Sequence, residues 1–203
     1  MSERVELSKE QMVSVKRGHI ENDICRDLAN PFVQLIGRGI WLWHDSVKGI
    51  CRSIKSQEVK DKVDKFVSEA YNIQKDKSVT NLKFKTAQIV KLWIEGISIC
   101  FEEMAEDYDV LRDVFANDNT YFAIDQISQI TYEDFISLTD RIKKYCKGIQ
   151  FVSYIDDKIQ EAKDLRQMYG DKSLSVIYKL RMVKIIVEVL CSSFVYIEDM
   201  EFD

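Results

Sequence analysis

Moving a proton near a phosphate at neutral pH calls for an imidazole and a fixed cation, and one short segment carries both. It reads Gly37-Arg38-Gly39-Ile40-Trp41-Leu42-Trp43-His44-Asp45. Arginine can hold a phosphate through its planar fork of donors, and a histidine six residues on can take or give a proton. On an unbroken helix the two side chains would stand about 120° apart, so they converge only through a break at Gly37 and Gly39 or across two subunits. A second set, Glu102-Glu103-Met104-Ala105-Glu106, brings Glu102 or Glu103 and Glu106 to one helix face, where carboxylates hold magnesium. Asp156-Asp157 with Glu161 is a third acidic group.

Arg38 and His44 match an R-x(4–6)-H spacing, and the segment resembles the active-site signature of HEPN-type ribonucleases. That resemblance implies metal-independent RNA cleavage, with His44 assisting proton transfer at the ribose 2′-hydroxyl and Arg38 stabilising charge on the phosphate. It also implies a helical, often dimeric, fold. Glycine follows Arg38 where the family commonly has a polar residue. Glu102 to Glu106 resembles the E-E-x-x-E half-motif of all-α nucleotide pyrophosphohydrolases of the MazG and dimeric dUTPase kind. The second half, E-x-x-D, is broken, because Ile136 stands three residues after Glu133. Asp156, Asp157 and Glu161 resemble the aspartate-rich motif of terpenoid synthases without a second metal motif. The expectation is therefore no resident metal and no cofactor.

The five cysteines, Cys25, Cys51, Cys100, Cys146 and Cys191, are widely spaced, odd in number and without a C-x-x-C pair. They read as small buried hydrophobes in a reducing, cytoplasmic or otherwise intracellular compartment. His19 and His44 are the only histidines, too few for a ferritin-like di-iron centre. No phosphate-cradling glycine loop and no serine nucleophile elbow occurs. Trp41 and Trp43 lie about 200° apart on a helix, so that helix shows tryptophan to two neighbours, within the chain or on a partner.

Positioning such residues falls to helices. One proline and seven glycines in 203 residues are too few for a turn-rich β architecture. Ser8-Lys9-Glu10-Gln11 has the form of a capping box opening a helix to about Leu28, and Asn30-Pro31 restarts the chain. Val33, Ile36, Ile40, Trp43, Val47, Ile50 and Ile54 draw the next stripe. Ser56 caps a helix striped by Val59, Val63, Phe66, Ala70 and Ile73. Residues 80–106 are apolar on several sides, as suits the middle of a bundle. Later helices follow from Thr131, with Gly148 expected as a C-terminal glycine, then along Ile149, Val152, Ile155, Ile159, Ala162 and Leu165 to Gly170. The last stripe is Val176, Leu180, Val183, Val187, Leu190, Phe194 and Ile197, although Lys184 to Leu190 is β-branched enough to suit a strand. The expectation is one all-α domain over 1–203, an antiparallel bundle of seven or eight helices. No apolar run approaches the ~20 residues of a membrane span.

Charge is unevenly distributed. The net charge of −5 conceals +6 over 48–91 and −11 over 95–140. The candidate partner-binding residues are Lys55, Lys60, Lys62, Lys65, Lys75, Lys77, Lys83 and Lys85 of the basic block, together with Trp41 and Trp43. Adjacent blocks of opposite sign can steer a charged protein partner or pair head to tail in self-association. Nucleic acid is the less favoured partner, since a pI near 5.3 opposes the usual basic footprint. The expected function is thus a non-enzymatic helical interaction module, an adaptor, inhibitor or accessory subunit. The alternative is a HEPN-like ribonuclease using Arg38 and His44.

Overall fold

A computed structural model describes residues 7–26, 51–52, 54–78, 82–104, 132–170 and 176–202. Among them are six α-helices and no strand: α1 (Lys9–Cys25), α2 (Gln57–Lys75), α3 (Leu82–Met104), α4 (Tyr132–Tyr145), α5 (Ile149–Tyr169) and α6 (Val176–Glu198). The protein is all-α. The helix expected over 30–54 lies outside the described residues except at its end, where Cys51 and Ile54 are buried. No helix among the described residues is long and apolar enough to cross a membrane.

Local chemistry accounts for the ends. Ser8 Oγ accepts from the Gln11 N–H while the Gln11 side chain accepts from the Ser8 N–H, so both bonds of a capping box are made. Ser56 Oγ accepts from the Val59 N–H at the start of α2. Gly170 closes α5 at φ +45°, a backbone setting that favours glycine, and its N–H donates to the Arg166 carbonyl.

The apolar stripes meet in a core drawn from all six helices. α2 packs on α3, and α3 also packs on α6; α6 in turn touches α5, α4 and α1. Being surrounded explains the composition of α6. Met182, Val183, Ile185, Ile186, Val187, Val189 and Leu190 are all buried, so the β-branched stretch is a helix apolar on several sides. Its propensity penalty is tenths of a kcal/mol per residue, against about 1.5–3 kcal/mol for burying each large aliphatic side chain. Burial wins.

α1 lacks such a stripe: Met12 and Val15 are about half exposed, as is Leu7 just before it, and Ile24 is a buried hydrophobe at its end. Polar contacts hold it instead. Arg17 reaches across to Glu198, with Nη1 at 3.2 Å from the carboxylate and Nη2 donating to the Glu198 carbonyl. At the other end the Tyr145 hydroxyl donates to Asp23 at 2.5 Å, which holds that carboxyl below its usual range, with Lys144 helping.

Gly148 was expected as the C-terminal glycine of a helix. Instead α4 stops at Tyr145, and Gly148 stands at the N-cap of α5 with φ −60°. Its small size serves a close approach. A Cβ there would lie 2.9 Å from Tyr196 Oη and 3.2 Å from Cε2.

Candidate functional site

The sequence-derived candidates divide into those the described residues contain and those they do not. Arg38, Trp41, Trp43 and His44 lie outside the described residues, as does Glu106. Of the basic set, Lys55, Lys62, Lys65, Lys75 and Lys77 are exposed, Lys60 and Lys85 half-buried, and Lys83 lies in the first turn of α3. Those on α2 do not share one face. At 100° per residue, Lys60, Lys75, Lys65 and Lys62 are spread over some 200° of α2, with Asp64, Asp61, Glu58 and Glu69 interleaved. Several are engaged already: Lys62 donates to Glu58 at 2.7 Å, the Lys75 ammonium sits 4.1 Å from the Tyr71 ring centroid, and Lys85 donates to the Asp76 carbonyl.

The acidic groups are engaged as well. Glu133 meets Arg166 at 2.8 Å, Glu102 meets Arg181 at 3.9 Å, and Asp156 pairs with Lys143. Glu161 shares Lys158 with Glu188, both at 2.7 Å. Among the described residues no three His, Cys, Asp or Glu side chains are arranged to hold a metal. Cys51, Cys100, Cys146 and Cys191 are buried and free. Burial pushes the thiols of Cys100 and Cys191 up to about 12 and that of Cys146 up to about 11. None of those three supplies a thiolate nucleophile at neutral pH.

Among the described residues a concave, largely apolar feature lies elsewhere, where the start of α5 meets the end of α6. Ile149, Phe151 and Tyr154 line one wall, Val195 and Tyr196 the other, around a cavity of about 710 Å³. The aromatic floor is built from fixed rings. Phe151 and Tyr196 have centroids 4.7 Å apart at 38°, and Phe151 and Tyr154 are 6.1 Å apart at 43°. Both hydroxyls are tied down within the fold: Tyr196 Oη accepts from the Gly148 N–H at 2.9 Å, and Tyr154 Oη accepts from Ser192 Oγ at 3.2 Å. The walls are largely apolar, with Gln150 and Asp199 among the lining residues. Ile149 is 89 % exposed and Val195 46 %, beside Asp199 as the one charged lining residue.

Gly148 keeps that floor in place. Gly148→Ala should force the Tyr196 ring away from Phe151 and loosen the N–H···Oη bond, costing about 1–3 kcal/mol. Urea denaturation read beside near-ultraviolet dichroism of the tyrosines tests this. Unchanged stability and an unchanged tyrosine signal would show that the contact carries no strain.

No family model, curated protein or solved structure matches this chain. Its chemistry must therefore be argued from the groove and the charges themselves.

The sequence reading missed this groove although a signal for it is present. Ser192, Val195, Tyr196 and Asp199 recur at i, i+3, i+4 and i+7, a second face of α6 beside the seam of Leu190, Phe194 and Ile197.

Proposed function

We propose that the chain is a non-enzymatic helical protein–protein interaction module, an adaptor, inhibitor or accessory subunit, working in a reducing intracellular compartment. It docks a protein partner through the groove between α5 and α6. The uneven charge of 48–91 and 95–140 steers the encounter. One observation carries the reading: a large aliphatic side chain, Ile149, stands 89 % exposed at the lip of an aromatic cleft whose two tyrosine hydroxyls are bonded within the fold. Such clusters of exposed apolar and aromatic surface are what partner anchors fill. The spread of lysines around α2, with carboxylates interleaved among them, favours a graded field over a dedicated nucleic-acid track.

A photo-crosslinking side chain placed at Ile149, with Lys163 as a control on the same helix, tests the proposal in the native cell. The expected result is a discrete protein adduct from position 149, absent from 163 and lost when Val195→Glu is added. No adduct from 149 would overturn the docking reading. Degradation of single-stranded RNA in EDTA, abolished by His44→Ala, would replace it with the HEPN-like alternative built on Arg38 and His44.

A further inference from the structure

Resting on the docking reading above, we propose that the occupant of the α5–α6 groove is the same groove of a second copy of this chain, related by a two-fold axis. An isologous interface requires one patch to contain both a projection and a recess, and both signs of charge, because each residue meets its complement twice. This patch contains all four. Ile149 projects, 89 % exposed, from the lip of a cleft floored by Phe151 and Tyr196. The recess beside it, about 710 Å³, has room for the corresponding isoleucine of the partner and for Val195. Lys147, exposed and adjacent to the lining residue Gly148, gives a positive edge on the α5 side; Asp199 gives a negative edge on the α6 side. In the proposed dimer Lys147 of each copy meets Asp199 of the other.

The chemistry disfavours a partner of a single charge sign. A purely basic or purely acidic segment would match one edge and be repelled at the other, whereas a second copy matches both. Ile149 and Val195 become the centre of the interface, and the two charge pairs form its rim. The interior of each copy is untouched by this association, because the rings beneath are already fixed by the Gly148 and Ser192 hydrogen bonds.

Sedimentation velocity on the full chain over a wide concentration range provides the test. The expected result is a reversible monomer–dimer equilibrium. Ile149→Glu, at a site too exposed for the change to unfold the chain, should weaken it by roughly thirtyfold or more. Lys147→Glu and Asp199→Lys should each weaken it by about tenfold, since each reverses a charge at two symmetric contacts. The double variant should recover most of the loss. A wild-type chain that stays monomeric at every concentration overturns the proposal. So does a dimer whose double charge reversal is no tighter than the single variants. A position-149 crosslink to a different protein, with the purified chain monomeric, overturns the second-copy assignment while leaving the interaction-module reading intact.

Discussion

Replacing Phe194 with alanine is expected to lower the free energy of unfolding by about 3–5 kcal/mol. Phe194 is 2 % exposed in α6, the helix against which α3, α5, α4 and α1 all pack. Removing its ring withdraws apolar surface already sequestered from water and leaves a void that helices on several sides cannot all close at once. The neighbouring position supplies the control. Val195 is 46 % exposed, and Val195→Ala should change stability by no more than about 0.5 kcal/mol. Urea denaturation at one fixed protein concentration measures both. A loss below about 1 kcal/mol for Phe194→Ala, with the slope against urea unchanged, would mean that α6 is not the packed centre of the fold.

That α6 would be helical was readable from its stripe, which Val183, Val187, Leu190, Phe194 and Ile197 fill as buried residues. The reading worked because hydrophobic periodicity reports burial directly, and burial decides between helix and strand when propensity differs only by tenths. The caps at Ser8 and Ser56 were legible for a similar reason: their bonds are local, made within four residues. Gly148 was not. Its role is set by Tyr196, 48 residues away, and nothing near Gly148 in sequence announces that ring.

Ile149 is the instructive failure. It was placed on the α5 stripe with Val152 and Ile155, yet it is 89 % exposed while Ile155 is fully buried. Two successive steps of three each fall about 60° short of a full turn, so Ile149 lies some 120° from Ile155. A stripe needs steps of four to cancel that drift, and this end of α5 has none. The same arithmetic that builds the core from Ile155, Ala162 and Leu165 turns Ile149 outward and opens the groove. The site is therefore written in the departures from the pattern that specifies the fold. The placing of the lysine block around its helix was not legible from a count of charge. A count along the chain gives +6 over 48–91, but position around α2 distributes those charges among carboxylates.

Lys158→Met should cost about 1–3 kcal/mol, with a pH signature that separates charge from packing. Lys158 Nζ donates to Glu161 and Glu188 at 2.7 Å each, and its side chain is 19 % exposed against 18 % for Glu188. Removing one member of a fully buried pair costs about 3–5 kcal/mol and an exposed pair is worth about 0–1, so this half-sheltered bridge between α5 and α6 falls between. Methionine preserves the aliphatic stem and leaves Glu188 without its cation in the helix seam. Burial alone would lower the Lys158 pKa, but the hydrogen bonds to Glu161 and Glu188 reverse this and hold it above its ordinary value. A raised lysine pKa stabilises the folded chain fully below the unfolded value of about 10.4, and the contribution fades as pH climbs towards the folded one. The difference between wild type and Lys158→Met should thus be constant through neutral pH and shrink in alkali above about pH 10. Because other lysines and the tyrosines titrate there in both proteins, that difference is the quantity to follow. Adding Glu188→Leu to Lys158→Met should restore most of the lost stability, since a carboxylate with no cation to meet it is worse than no charge at all. If the single variant matches wild type at every pH, the bridge offsets only its own desolvation, and α5 is held to α6 without it.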